Sequence, residues 1–196
     1  MKTQRQRMST ETLVLGAVLT ALVILLQFMG AFIKFGPFSI SLVLVPIVIG
    51  AAVCGAAMGA WLGLVFGIVV LISGDAGAFL AVNAIGTIIT VIAKGVACGY
   101  LAGLAYRLFA KLNTYVAVAV AAVVCPVVNT GIFLIGCLVF FMETVASWAV
   151  GAGFSGDIAG YMILVLVGAN FLFELGSNII LSPVIVRLLN IRKIEN

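Results

Sequence analysis

Asn170-Phe-Leu-Phe-Glu174-Leu-Gly-Ser177-Asn178 lies inside an apolar run from Tyr161 to Leu189, long enough to cross a bilayer. It nevertheless carries a carboxylate and two amides. A charge at membrane depth costs about 2.5–3.5 kcal/mol on insertion scales, so Glu174 calls for a partner. Lys94 is the basic residue that lies deep in another span. The pair can be a structural clamp between two helices, or both residues can line a polar binding pocket.

The rest of the chain has the same character. Of 196 residues, 65% are hydrophobic and 8% charged, and the mean hydropathy is +1.38. That composition describes an all-α membrane protein folded as a single transmembrane domain over residues 1–196, with no soluble enzymatic domain. The net charge of +4 is spread over several loops and both ends. It reads as a topology signal and not as a nucleic-acid surface. Histidine is absent, and Cys54, Cys98, Cys125 and Cys137 stand singly in apolar surroundings. They read as small packing residues, with no metal site or disulfide implied.

Six spans are predicted, at about 12–33, 38–54, 59–73, 83–109, 115–141 and 161–189, after a polar cytoplasmic tail over 1–10. The first apolar run is too long for a signal peptide. Gly36-Pro37 breaks the chain before the second span, which has Pro46 inside it, and Ser73–Val82 and Met142–Gly160 are the longest loops. An even count places both termini on one side, with Lys2, Arg5, Arg7, Arg107, Lys111, Arg187, Arg192 and Lys193. The other side has Lys34 with Asp75, Glu143 and Asp157. Eight basic residues against one put both termini in the cytoplasm.

Gly55, Gly59, Gly63 and Gly67 recur every fourth residue, as do Gly95, Gly99 and Gly103. Each row makes a smooth helix face, suited first of all to packing the third and fourth helices together. Gly16, Ala17 and Ala21 form a shorter small face, turned inward or toward another subunit. Gly151-Ala-Gly153-Phe-Ser-Gly156 satisfies G-x-G-x-x-G, but it follows no strand and lies in an outer loop. No P-loop motif occurs, so energy from ATP has to come from a partner.

The polar residues share a depth. Lys94 is 11 residues beyond Asn83, Asn129 is 12 before Phe141, and Glu174 is 13 beyond Tyr161. At the helical rise all three lie roughly 16–20 Å below their outer helix ends. Asn170 is one turn shallower than Glu174 and Asn83 belongs to the outer mouth. Together they predict a small-molecule site shared by the fourth, fifth and sixth helices and open to the outside. Phe79 and Trp148 in the loops above can stack on a flat ligand, although Trp148 can equally sit in the interfacial aromatic belt.

On Ala17-Val-Leu-Thr-Ala21, on Phe38-Ser-Ile-Ser-Leu-Val-Leu-Val-Pro46-Ile-Val-Ile-Gly50 followed by the glycine-rich third helix, and on the six-span layout, the chain resembles the substrate-binding S components of energy-coupling factor (ECF) transporters, the vitamin importers of prokaryotes. The resemblance covers the whole length. It implies that Ala17 and Ala21 dock onto a transmembrane coupling subunit that works with two ATPases. It further implies a vitamin held from outside by helices four to six and the loops after helices one and three. The S component then topples in the membrane to release its ligand inward. No cofactor is implied, and the expectation is a transport subunit of the cell membrane, not an enzyme. Lys94 facing a carboxylate suits pantothenate, niacin, biotin or a folate; Lys94 neutralised by Glu174 suits riboflavin. Pantothenate or another carboxylated vitamin ranks first.

The alternative is a stand-alone proton-coupled secondary carrier with Lys94 and Glu174 as its relay. The polar helices lie in the second half and have no counterpart in the first, unlike an inverted repeat.

Overall fold

The computed structural model describes residues 10–32, 34–35, 38–39 and 42–194. The polar tail with Lys2, Arg5 and Arg7 and the Gly36-Pro37 break lie outside the described residues, as do the side chains of Lys34, Arg192 and Lys193. The helices are α1 (Thr10–Phe32), α2 (Leu44–Cys54), α3 (Ala56–Ile72), the single turn α4 (Gly77–Leu80), α5 (Ala84–Phe109), α6 (Thr114–Phe140), α7 (Met142–Gly151), the single turn α8 (Ile158–Tyr161) and α9 (Gly168–Ile194). A two-residue ribbon joins α1 to α2: β1 (Lys34–Phe35) runs antiparallel to β2 (Phe38–Ser39), with Lys34 opposite Ser39.

Of the six apolar stretches read as spans, α1, α5, α6 and α9 are long and apolar enough to cross a membrane. Helices α2 and α3 are shorter, at 11 and 17 residues. Eleven residues rise only about 16 Å, roughly half the hydrocarbon thickness. The apolar composition of α2 has another cause, since eight of its residues are buried inside the protein. The helix expected from Phe38 starts at Leu44. Pro46 falls in its first turn, where helical amides lack partners anyway, and not in its interior. Gly55, at φ 94°, turns the chain into α3 through a region that side chains disfavour.

The two glycine rows meet each other. A Cβ on Gly63 would strike the Gly95 carbonyl, and one on Gly59 would strike that of Gly99. At Gly103 a Cβ would meet the Ala56 backbone. Backbones of α3 and α5 thus touch directly, which holds α5 rigidly against the helix pair α2–α3.

Two outer segments depart from the sequence expectation. Met142–Gly160, read as a loop, contains α7, whose Val145 and Ala149 lie one turn apart and are buried. The final span is interrupted. Asp157 caps α8 by accepting the Gly160 amide at 2.8 Å, and Met162–Leu166 widens into a π-helix. The Val167 amide donates to the Met162 carbonyl five residues back. Helix α9 begins just past this wide turn, a kind of distortion that recurs at functional sites. Phe79, Phe141, Val145, Tyr161 and Leu166 form a small core among these outer elements, apart from the main one around Leu44, Ile47, Leu62, Val118 and Ile185.

Candidate functional site

Asn83 opens α5 by capping it: its side chain accepts the Gly86 amide at 2.9 Å. From that start, Thr87, Thr90 and Lys94 fall at three- and four-residue spacing on one helix face. All three line a cavity of about 50 Å³, closed by Asp75, Phe79, Phe133 and Phe141. The Lys94 Nζ lies 5.4 Å from the ring centres of both Phe66 and Phe133. Such a cation–π cradle contributes about 0.5–2 kcal/mol, more where water is excluded. Asp75, on the opposite wall, accepts from the Nε2 of Gln27, a buried amide of α1, at 3.1 Å.

Phe79 roofs the cavity. Its ring stands edge-on to Phe133 at 5.4 Å, to Phe141 at 5.1 Å and to Trp148 at 5.2 Å. These edge-to-face pairs join α4, α6 and α7 into one aromatic lid. Trp148 therefore packs on the lid and does not itself line the cavity.

Glu174 belongs to a second polar group, away from the cavity wall. It is 3% exposed. Its Oε2 accepts from Asn129 Nδ2 at 3.4 Å and its Oε1 from Asn170 Nδ2 at 3.1 Å. Asn178 Nδ2 donates to the Glu174 backbone carbonyl at 2.8 Å. The single hollow expected for Lys94, Asn129 and Glu174 is thus divided in two. Lys94 lines the cavity with Phe79, while Asn129, Asn170 and Glu174 bind one another. The division follows from helix rotation, which a depth count does not register.

Asp75, Thr87, Thr90, Phe133 and Gln27 were not singled out from sequence. Gln27 carried a readable signal, as an amide deep in an otherwise apolar helix. The spacing of Thr87, Thr90 and Lys94 carried another.

Ala17 and Ala21 lie elsewhere, in a groove of about 730 Å³ formed by one face of α1 and by Cys54, Ala57, Met58 and Trp61. The Trp61 Nε1 donates to Thr20 Oγ1 at 3.2 Å, which in turn donates to the Gly16 carbonyl at 2.7 Å. Trp61 and Thr20 are thus satisfied locally, and most of the groove's remaining lining is apolar.

A family model described as "ECF transporter, substrate-specific component" matches residues 11–186. No curated protein and no solved structure matches the chain.

Proposed function

The chain belongs to the substrate-specific components of ECF transporters, and from that premise we propose that it captures a carboxylated vitamin or vitamin precursor at the outer face of a prokaryotic cell membrane. At the family level it is the membrane-embedded substrate-binding subunit of such a transporter. The family implies a small-molecule substrate, a transmembrane coupling partner and ATPases. Pantothenate or another carboxylated vitamin ranks ahead of riboflavin.

The observation that carries this reading is Lys94: a cation on the cavity wall, 5.4 Å from the ring centres of both Phe66 and Phe133, with Asp75 as the acid that shares the cavity. A cation held by ring contacts at membrane depth is expensive, and a ligand carboxylate would give it a direct partner. The Glu174 oxygens are already engaged by Asn129 and Asn170, which weighs against a direct Lys94–Glu174 pair.

The cavity of about 50 Å³ is small beside ligand pockets, which run to about 300–1,000 Å³. Binding therefore requires the lid of Phe79 and Trp148 to lift, followed by closure over the ligand. In this reading six helices enter the membrane, α2 reaching through only part of it, with both termini cytoplasmic as the eight-to-one split of basic residues supports. Docking of Ala17 and Ala21 onto the coupling subunit is supported by the apolar groove around them.

The test is titration of the purified chain with pantothenate, nicotinate, biotin and riboflavin, beside mass spectrometry of any co-purifying small molecule. Saturable binding of one of the acids, lost in Lys94→Ala, is the expected result. Binding of none of the four, with a non-vitamin recovered, would contradict it.

A further inference from the structure

We propose that Thr90 is a second anchor for the ligand's carboxylate, donating its hydroxyl to one oxygen while Lys94 donates to the other. The proposal deepens the reading of the cavity given above and rests on it.

In an apolar helix a threonine hydroxyl ordinarily donates to the carbonyl four residues back. Thr87 does so, to Asn83 at 2.8 Å. Thr90, one turn further, does not. It is 5% exposed, and its Oγ1 is buried without a hydrogen-bond partner. A buried hydroxyl left unbonded is destabilising until something accepts from it. It lines the same cavity as Lys94, four residues on and therefore on the same helix face.

The neighbour across the interface keeps it there. Gly136 of α6 packs directly on Thr90, and a Cβ at that position would collide with both the hydroxyl and the methyl of the threonine. A glycine at this point lets α6 approach closely enough to confine the Thr90 side chain at the cavity wall.

The pair of donors also specifies a chemical class. A lone ammonium accepts any anion. An ammonium and a hydroxyl on one face offer two donors to the two oxygens of a carboxylate.

The experiment compares each acid with its neutral analogue, pantothenate with panthenol and nicotinate with nicotinamide, on the purified full chain by equilibrium binding. Riboflavin serves as a ligand without a carboxylate. Wild-type protein should prefer an acid to its analogue. Thr90→Val should weaken binding of that acid by about tenfold or more, as for a hydrogen bond to a charged group, and leave the analogue's affinity unchanged. Thr90→Ser should restore the preference, and Gly136→Ala should reproduce the loss by displacing the threonine. If Thr90→Val does not fold, Thr90→Ala carries the same prediction. An unchanged acid preference in the folded Thr90 variant, with Lys94→Ala still defective, would overturn the role of Thr90 and leave the Lys94 reading standing. Tight riboflavin binding with neither acid bound would overturn the carboxylate anchor while leaving a vitamin receptor.

Discussion

Asn170 donates to Glu174 across one turn of α9, Nδ2 to Oε1 at 3.1 Å, just below the π-helical turn that opens this segment. Together with Asn129 it gives a buried carboxylate two amide donors in place of a salt bridge. Replacing Asn170 by Leu removes one of these and should cost about 1.5–3 kcal/mol, the range for hydrogen bonds to charged groups. Glu174→Gln removes the charge itself and should leave stability unchanged or raise it. Thermal unfolding of the two variants in one detergent checks the contrast: a destabilised Glu174→Gln beside an unaffected Asn170→Leu would show that Glu174 is stabilised in some other way.

Lys94 lies close to two phenylalanine rings. Lys94→Ala should therefore weaken binding of the carboxylated ligand by well over tenfold, the scale of losing a charge-assisted partner. Thermal stability should fall only modestly, because ring contacts worth about 0.5–2 kcal/mol are lost while a buried charge is removed. Lys94→Met, which keeps the bulk of the side chain, should lose binding to a similar extent. Calorimetric titration and a melting curve on the same sample separate the two effects.

Gly63 and Gly95 bring two backbones into direct contact. Gly63→Leu forces a side chain against a carbonyl that cannot move independently of its helix. Overpacking a core costs about 1–3 kcal/mol where side chains can adjust; here backbone would have to shift, so the variant should fail to yield a monodisperse protein. Gly131→Ala, where a Cβ meets nothing within 4 Å, should be neutral. Size-exclusion profiles of the two variants make the comparison.

Much of this architecture was legible in the sequence. The glycine rows read as a helix–helix contact because a four-residue repeat fixes the face as well as the element. Lys94 and Glu174 stood out because charge is rare in apolar runs. Their separation did not: one-dimensional depth ignores rotation, and a few tens of degrees decide whether a side chain faces a cavity or a neighbouring helix. Two further features were hidden for different reasons. The apolar character of α2 looked like a lipid-facing span, though protein burial produces the same composition. Helix α7 was obscured by glycines that gather only at its end, at Gly151 and Gly153.

Phe79 is the hub of the aromatic lid. Phe79→Ala removes three ring contacts of about 0.5–1.5 kcal/mol each. Ligand should dissociate faster from this variant, with a smaller change in the association rate. Stopped-flow displacement measures both rates, and an unchanged dissociation rate would mean that Phe79 does not hold the closed state.

Ala17 and Ala21 lie in the α1 groove, far in role from Lys94. Ala17→Trp should fill that groove, leave ligand binding intact and abolish transport by the assembled complex. Pull-down of the coupling subunit checks the cause, since an assembled but inactive complex would place the defect elsewhere.

The division between capture and energy supply is tested most directly by uptake of labelled vitamin into proteoliposomes. The chain alone should bind the vitamin yet accumulate none, with or without a proton gradient, and uptake should appear when the coupling subunit, ATPases and ATP are present. Robust gradient-driven uptake by the chain alone would contradict the account and favour a self-sufficient carrier.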